Sequence, residues 1–222
     1  MEVVQIDKLV RSRRKTLSVS VNAVGEVTLR VPLRATDGQI QRFVQEHEAW
    51  ILRTKQRKLA TGIALPSEDL NGYTLLILGQ TYMLCVYEDA RVALDTENKR
   101  LYLPKKNTKA RFIGWLKENA LRICTQVVER KSVEMGVKVT SVSITSARSF
   151  WGLCTRDNAL RFSYRLLYAP KEVIEYVVVH ELAHVTYKNH SSAFWREVEK
   201  YLPNWKEKRK WLKDRSILMQ VL

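Results

Sequence analysis

Residues 170–187 constrain this chain more than any other part of it. Val173, Ile174, Val177, Val178, Val179, Leu182, Ala183 and Val185 leave almost no polar face, and a helix that is apolar on every side is a buried one. Pro170 suits its first position, where a missing N–H costs nothing. The same stretch nevertheless carries His180, Glu181 and His184. Polar groups inside a buried helix are costly unless something pairs with them, so the fold must supply a partner for these three.

The spacing points to a metal ion. In His180-Glu181-Leu182-Ala183-His184 the two imidazoles lie four residues apart, on one helix face, and can reach a single ion from consecutive turns. Glu181 projects to the side and can contact a water without being a ligand. Lys188-Asn189 can end the helix and Ser191 or Ser192 can cap the next, which brings His190 back towards the ion. The chain has four histidines, and three of them fall within residues 180–190. A buried histidine pair with Glu181 as its salt partner and no metal would leave poorly compensated polar groups in an apolar helix.

Three neutral imidazoles leave one position open on a tetrahedral ion, the pattern of a catalytic rather than a structural zinc site. Zinc acidifies a bound water, and Glu181 can take its proton and pass it to a leaving group. The expectation is a zinc-dependent hydrolase, above all a peptidase, with His180, His184 and His190 as metal ligands, one Zn2+ per chain, and Glu181 as catalytic acid/base. Nickel, cobalt or iron would also suit imidazole ligands. A developing oxyanion needs a further donor, for which Tyr187, Tyr164, Arg165, Tyr168 and Arg148 are close in sequence. Trp151 and Tyr164 are the candidate substrate-binding residues.

The first third reads as a hairpin and a helix. Leu17, Val19 and Val21 alternate with polar residues, as do Val27, Leu29 and Val31; Asn22 to Gly25 supply the turn, and Pro32 stops the second strand. Thr36-x-x-Gln39 is a capping box opening a helix with the stripe Ile40, Phe43, Val44, His47 and Ile51. His47 reads as a packed, hydrogen-bonded histidine, because no second ligand type sits at helical spacing from it. Thr61 to Gly72 reads as a loop. Strands follow at Leu75–Ile77 and Tyr82–Val86 around a Gly79-Gln80 turn, then a hairpin from Val92–Leu94 and Leu101–Leu103. A long helix from Thr108 carries Phe112, Leu116, Ala120, Ile123 and Val127 on one face and stops at Gly136, with Ile113 and Trp115 off that stripe. Val137–Thr145 and Leu160–Leu166 read as strands around a turn at Asp157-Asn158.

Beyond the metal segment, Asn189-His190-Ser191, Phe194-Trp195 and the tail Trp205-Lys-Glu-Lys-Arg-Lys-Trp-Leu212 resemble the YgjP-like family of metal-dependent hydrolases, related to the SprT-like and WLM zincin peptidases. Arg13-Arg14-Lys15-Thr16-Leu17, Val31-Pro32, the Phe43 to Trp50 helix and Arg165-Leu166 extend the likeness over most of the chain. The resemblance implies an α+β, zincin-like fold: a β-rich N-terminal subdomain with one helix (1–105), then a metallohydrolase domain (106–222) with a small antiparallel sheet packed on the active-site helix and C-terminal helices. It also implies that His180, His184 and His190 hold the metal and Glu181 serves as acid/base. In zincins an extended substrate adds to a sheet edge above that helix, and Leu160–Leu166 is the expected edge. Phe150-Trp151-Gly152-Leu153-Cys154 stands where the family usually has Arg-Trp-Gly-Ser-Cys, Asp157-Asn158 where a glycine is usual, and Ser163 where Asn is usual. The histidine spacing is metzincin-like, but Tyr187 replaces the glycine of that motif.

Charge raises a competing class. Lys and Arg number 38 against 23 Asp and Glu, a net charge of +15, which makes a polyanion a plausible neighbour. Arg11-Arg13-Arg14-Lys15, Arg53-Lys55-Arg57-Lys58 and above all Lys206, Lys208, Arg209, Lys210 and Lys213 are candidate DNA contacts. Trp205 and Trp211 interleave with the last group and could stack on bases, although both also fit a helix packing face. This alternative is a nucleic-acid-associated protein with a mainly structural or vestigial zinc site. Retention of Glu181 argues for the enzyme, since a structural site has no use for it and prefers a fourth protein ligand. Cys85, Cys124 and Cys154 form no C-x-x-C pair and read as reduced thiols. No signal peptide and no apolar run of about 20 residues is visible, so a cytoplasmic protein outside the membrane is expected.

Overall fold

The computed structural model describes residues 4–21, 26–60 and 70–221. The turn expected at Asn22 to Gly25 and most of the loop expected at Thr61 to Gly72 lie outside the described residues. The chain divides into two compact units, Met1–Leu65 and Pro66–Gln220.

In the first unit, β2 (Ser18–Val21) pairs antiparallel with β3 (Val27–Pro32) in the register Val19 to Leu29, as the two alternating runs predict. A further strand, β1 (Lys8–Ser12), adds parallel to the other side of β3. Its Lys8-Leu9-Val10-Arg11-Ser12 sequence has no clean alternation to show it. Helix α1 (Asp37–Ala60) opens with the expected reciprocal cap, in which the Gln39 N–H donates to Thr36 Oγ1 and the Thr36 N–H to Gln39 Oε1. Ile51 is buried with Val21 and Val27, while Ile40, Phe43 and Val44 pack against Leu29, Val31 and Ala35. His47 stacks on Phe43 and bonds its carbonyl through Nδ1 at 2.8 Å.

The second unit begins with a four-stranded sheet in the order β4-β5-β7-β6, from β4 (Thr74–Ile77), β5 (Gln80–Tyr87), β6 (Ala93–Asp95) and β7 (Arg100–Pro104). The division at 105/106 expected from sequence therefore differs from the observed one, because this sheet groups with the elements C-terminal to it. The β4–β5 turn explains why. Leu78 and Gly79 both have positive φ, 51° and 77°, the backbone of a tight hairpin turn. The Leu78 N–H donates to the Leu167 carbonyl at 2.8 Å, and a Cβ at Gly79 would lie 2.7 Å from Pro170 Cγ. The turn is thus docked on the segment leading into the helix of His180 and His184.

Helix α2 (Thr108–Met135) buries Phe112, Leu116, Ala120, Cys124 and Val128 and ends at Gly136. Three strands, β8 (Ser141–Thr145), β9 (Gly152–Cys154) and β10 (Ala159–Ser163), form a sheet in the order β8-β10-β9. Two expectations fail here. The sheet is mixed rather than antiparallel, since β8 and β10 run parallel. And β10 is the central strand, paired on both sides, so Leu160–Leu166 offers no free edge. Its alternation of Leu160 and Phe162, both fully buried, reports which face is covered and says nothing about which side is paired. Residues Tyr164–Tyr168 leave the sheet as a buried 3-10 turn. The Asp157-Asn158 turn joins β9 to β10, with Asn158 at φ 61° and the Asn158 N–H bonded to the Thr155 carbonyl.

Helix α3 (Lys171–Thr186) runs through the core of this unit, its Val173, Ile174, Val177, Val178, Val179 and Leu182 all buried. Pro170 precedes it as the cap residue rather than its first turn. Helices α4 (Ser192–Tyr201) and α5 (Trp205–Asp214) follow. Among the described residues no helix is long and apolar enough to cross a membrane, and all three cysteines are free.

Candidate metal centre

Helix α3 delivers His180 and His184 from successive turns, and the chain then reverses to deliver His190. The reversal has local causes. The helix ends at Tyr187, and Ser191 caps α4 by accepting the Phe194 N–H. The three ligand atoms lie within 4.8 Å of one another. His180 Nε2 and His190 Nε2 are 3.1 Å apart, close to the roughly 3.3 Å that two nitrogens about 2.0–2.1 Å from one tetrahedral ion must have.

The rings are held from behind. Phe194, fully buried, lies 4.9, 4.5 and 4.8 Å from the centroids of His180, His184 and His190. Trp195 stacks on His190 and, at 4.2 Å, on Trp205. His184 Nδ1 sits 2.9 Å from the Tyr187 carbonyl, an acceptor, so Nδ1 carries the proton and Nε2 keeps its lone pair for a metal. Burial, then His184, His190 and Arg209, push His180 down to about 3; burial also lowers His184. Both are therefore neutral, the form a metal requires. His180 Nδ1 is buried without a hydrogen-bond partner. Among the described residues no other His, Cys, Asp or Glu joins the group, so the donor set is three imidazoles, which fits a divalent transition ion with a remaining open position.

Glu181 is buried on the side of α3 that meets β9. Burial pushes its carboxyl up to about 8, against a hydrogen bond from the Cys154 backbone; a dication nearby favours the charged form and opposes that rise. The contact is close because β9 presents no side chain there. A Cβ at Gly152 would lie 2.7 Å from Glu181 Oε1, 2.8 Å from its Cγ and 2.9 Å from Val177 Cγ1. Gly152→Ala is therefore expected to lower stability by about 1–3 kcal/mol through overpacking and to cut any turnover about tenfold by displacing the carboxylate. Zinc content should hold. Thermal melting and kcat measure the two effects, and a variant indistinguishable from wild type in both would mean that the contact has room to relax.

The other residues singled out by sequence fare differently. Trp151 and Gly152 line a cavity of about 350 Å³ together with His180 and Glu181. Tyr164 is 1 % exposed and stacks under the Arg165 guanidinium, away from solvent. Arg165 is buried and donates to the Ser146 carbonyl. Tyr168 is buried with its hydroxyl unpartnered. Tyr187 serves through its backbone, and Arg148 is exposed. On α5, Lys206, Arg209, Lys210 and Lys213 are exposed and Lys208 is half-buried, while Trp205 and Trp211 pack into the core. Arg209 and Lys213 also line the cavity beside Glu181. Sequence reasoning missed Gly152, the Cys154 backbone and the place of these two cations at the cavity.

A family described as YgjP-like, metallopeptidase domain, matches residues 15–215. No curated protein matches the chain. Among solved structures, the metallopeptidase zymogen of Pyrococcus abyssi abylysin is 26% identical over 40% of this chain and 92% of that one, with a TM-score of 0.37. With the family matched over residues 15–215, nearly the whole of this chain, the chain belongs to the YgjP-like metallopeptidases.

Proposed function

We propose that the chain is a zinc peptidase in which His180, His184 and His190 hold the ion and Glu181 moves the proton. The observation that carries this reading is the pairing of a three-imidazole donor set, open at a fourth position, with a buried carboxylate directly beside it. A structural site would close the fourth position with a protein ligand. When bound, zinc polarises the scissile carbonyl and acidifies a water molecule.

The chain's own residues account for the rest. Glu181 accepts the proton of the attacking water at a carboxylate oxygen and returns it to the leaving amine nitrogen. The Cys154 N–H and the absent side chain at Gly152 hold that carboxylate in place. With Leu160–Leu166 paired on both sides, β9 is the strand of this sheet that lies against Glu181. Hydrogen bonds between Ser163 and Trp151 and between Thr155 and Ala159 alternate along the antiparallel pair. The backbone groups of Gly152 and Cys154 consequently point away from β10, towards the helix carrying Glu181.

The alternative, a nucleic-acid-associated protein, draws on the exposed stripe Lys206, Arg209, Lys210 and Lys213. It leaves the buried Glu181 without a task. The test is to load the protein with zinc and incubate it with a mixture of unstructured peptides, reading the cuts by mass spectrometry. Cleavage that stops on chelation and returns with zinc is expected. A protein that holds zinc and cuts no peptide would overturn the peptidase reading.

A further inference from the structure

We propose that the cavity beside Glu181 binds a carboxylate of the peptide substrate, gripped by Arg209 and Lys213. This rests on the peptidase reading and names the substrate class. The two cations lie four residues apart on α5 and so share one face, and both line the same cavity of about 350 Å³ as His180 and Glu181. That is room for one large side chain or a chain end beside the reacting bond. Trp151, Tyr176, Val177 and Leu212 give the cavity apolar walls, suited to the methylene stem of an acidic residue.

The charge in this cavity is unbalanced. Among the described residues neither Arg209 nor Lys213 has an acidic partner within ion-pair distance. Glu181 is the one acid in the lining, and it is buried and bonded to the Cys154 backbone. Two cations facing a shared, partly enclosed space favour an anion there and disfavour a third cation.

Arg209 is also held in position. Its guanidinium lies over the Trp195 ring at 4.9 Å and near Trp205 at 6.0 Å, and those two rings stack on each other, with Trp195 also stacked on His190. Stacking fixes the plane of the guanidinium and leaves its edge N–H groups for the planar, two-oxygen geometry of a carboxylate. The same cavity is lined by His180, which places this positive charge beside the three-histidine group. A carboxylate bound there would sit one side chain away from the bond being cut. It could be an Asp or Glu side chain next to the scissile bond, or the terminal carboxylate of the substrate.

Three peptides of one sequence separate the sources: a C-terminally amidated peptide with Glu beside the cleaved bond, its amidated Gln twin, and the Gln peptide with a free carboxylate placed one residue beyond the bond. Each is assayed for kcat/KM on the zinc-loaded protein and for affinity on the zinc-loaded, slow Glu181→Gln variant by tryptophan fluorescence. Wild type should prefer one of the two carboxylate peptides over the amidated Gln peptide by at least about tenfold. Which one it prefers identifies the source. Lys213→Gln, and Arg209→Lys, which keeps the charge but loses the fork, should each shrink that ratio, whereas Lys210→Gln, on the same helix outside the cavity lining, should preserve it. Equal cleavage and binding of all three peptides overturns this inference and leaves the peptidase standing. Failure to cleave or bind any peptide overturns both. Displacement by single-stranded DNA, with no preference among the peptides, assigns the two cations to a polyanion and also overturns it.

Discussion

Glu181→Gln is expected to leave a folded, zinc-binding protein that hydrolyses peptides at least about 100-fold more slowly than wild type, the usual contribution of a general acid/base. The substitution is close to isosteric, which matters where Glu181 is 5 % exposed and a Gly152 Cβ would already collide with it. The Gln carbonyl oxygen can still accept the Cys154 N–H, so β9 should stay where it is. A buried carboxylate with little compensation is costly, and a neutral amide removes that cost; the metal-free variant should melt no lower than the metal-free wild type. What is lost is the capacity to take a proton from water and hand it on. Unchanged turnover with unchanged zinc would reduce Glu181 to a prop for β9.

That experiment separates what the sequence could express from what it could not. The three-histidine group was legible because helix geometry is local: residues 180 and 184 must share a face, and Asn189 and Ser191 mark the reversal that returns His190. The capping box at Thr36 and Gln39 and the end of α2 at Gly136 were legible for the same reason. Gly152 was not, because its meaning is the approach of β9 to a helix residue 29 positions later in the chain, and nothing in the pattern Phe-Trp-Gly-Leu-Cys states that distance. The docking edge was misassigned for a related reason. A period of two reveals the covered face of Leu160 and Phe162, whereas pairing on both sides is decided by β8 and β9, which come from elsewhere.

The basic tail shows the same limit. Lys206, Lys208, Arg209, Lys210 and Lys213 form one cluster when read in line. On α5 the cluster divides, Arg209 and Lys213 turning to the cavity and Lys206 and Lys210 outside its lining. A count of charges therefore suggested one polyanion surface, where the helix separates a cavity wall from a solvent face. Tyr164 and Arg165, attractive as donors by proximity in sequence, are instead consumed by the packing of the buried 3-10 turn.

His184→Ala should abolish metal binding at working concentrations and peptide hydrolysis with it. Outer partners of metal ligands are typically worth 10–100-fold in affinity, so deletion of a ligand itself is expected to cost more than about 100-fold. Two imidazoles alone, one of them exposed, cannot make up that loss. The change also removes the donor to the Tyr187 carbonyl and the ring packed on Phe194, so some fall in melting temperature will accompany it. The control is the fourth histidine. His47→Ala deletes an imidazole of the first unit that, among the described residues, hydrogen-bonds the Phe43 carbonyl, and it should keep about one zinc per chain by elemental analysis after dialysis. Set beside Glu181→Gln, which keeps zinc and loses turnover, His184→Ala loses both; the two phenotypes together separate holding the ion from moving the proton. Equal zinc in wild type and His184→Ala would mean the ion, if any, sits elsewhere, and the three-histidine centre would fall.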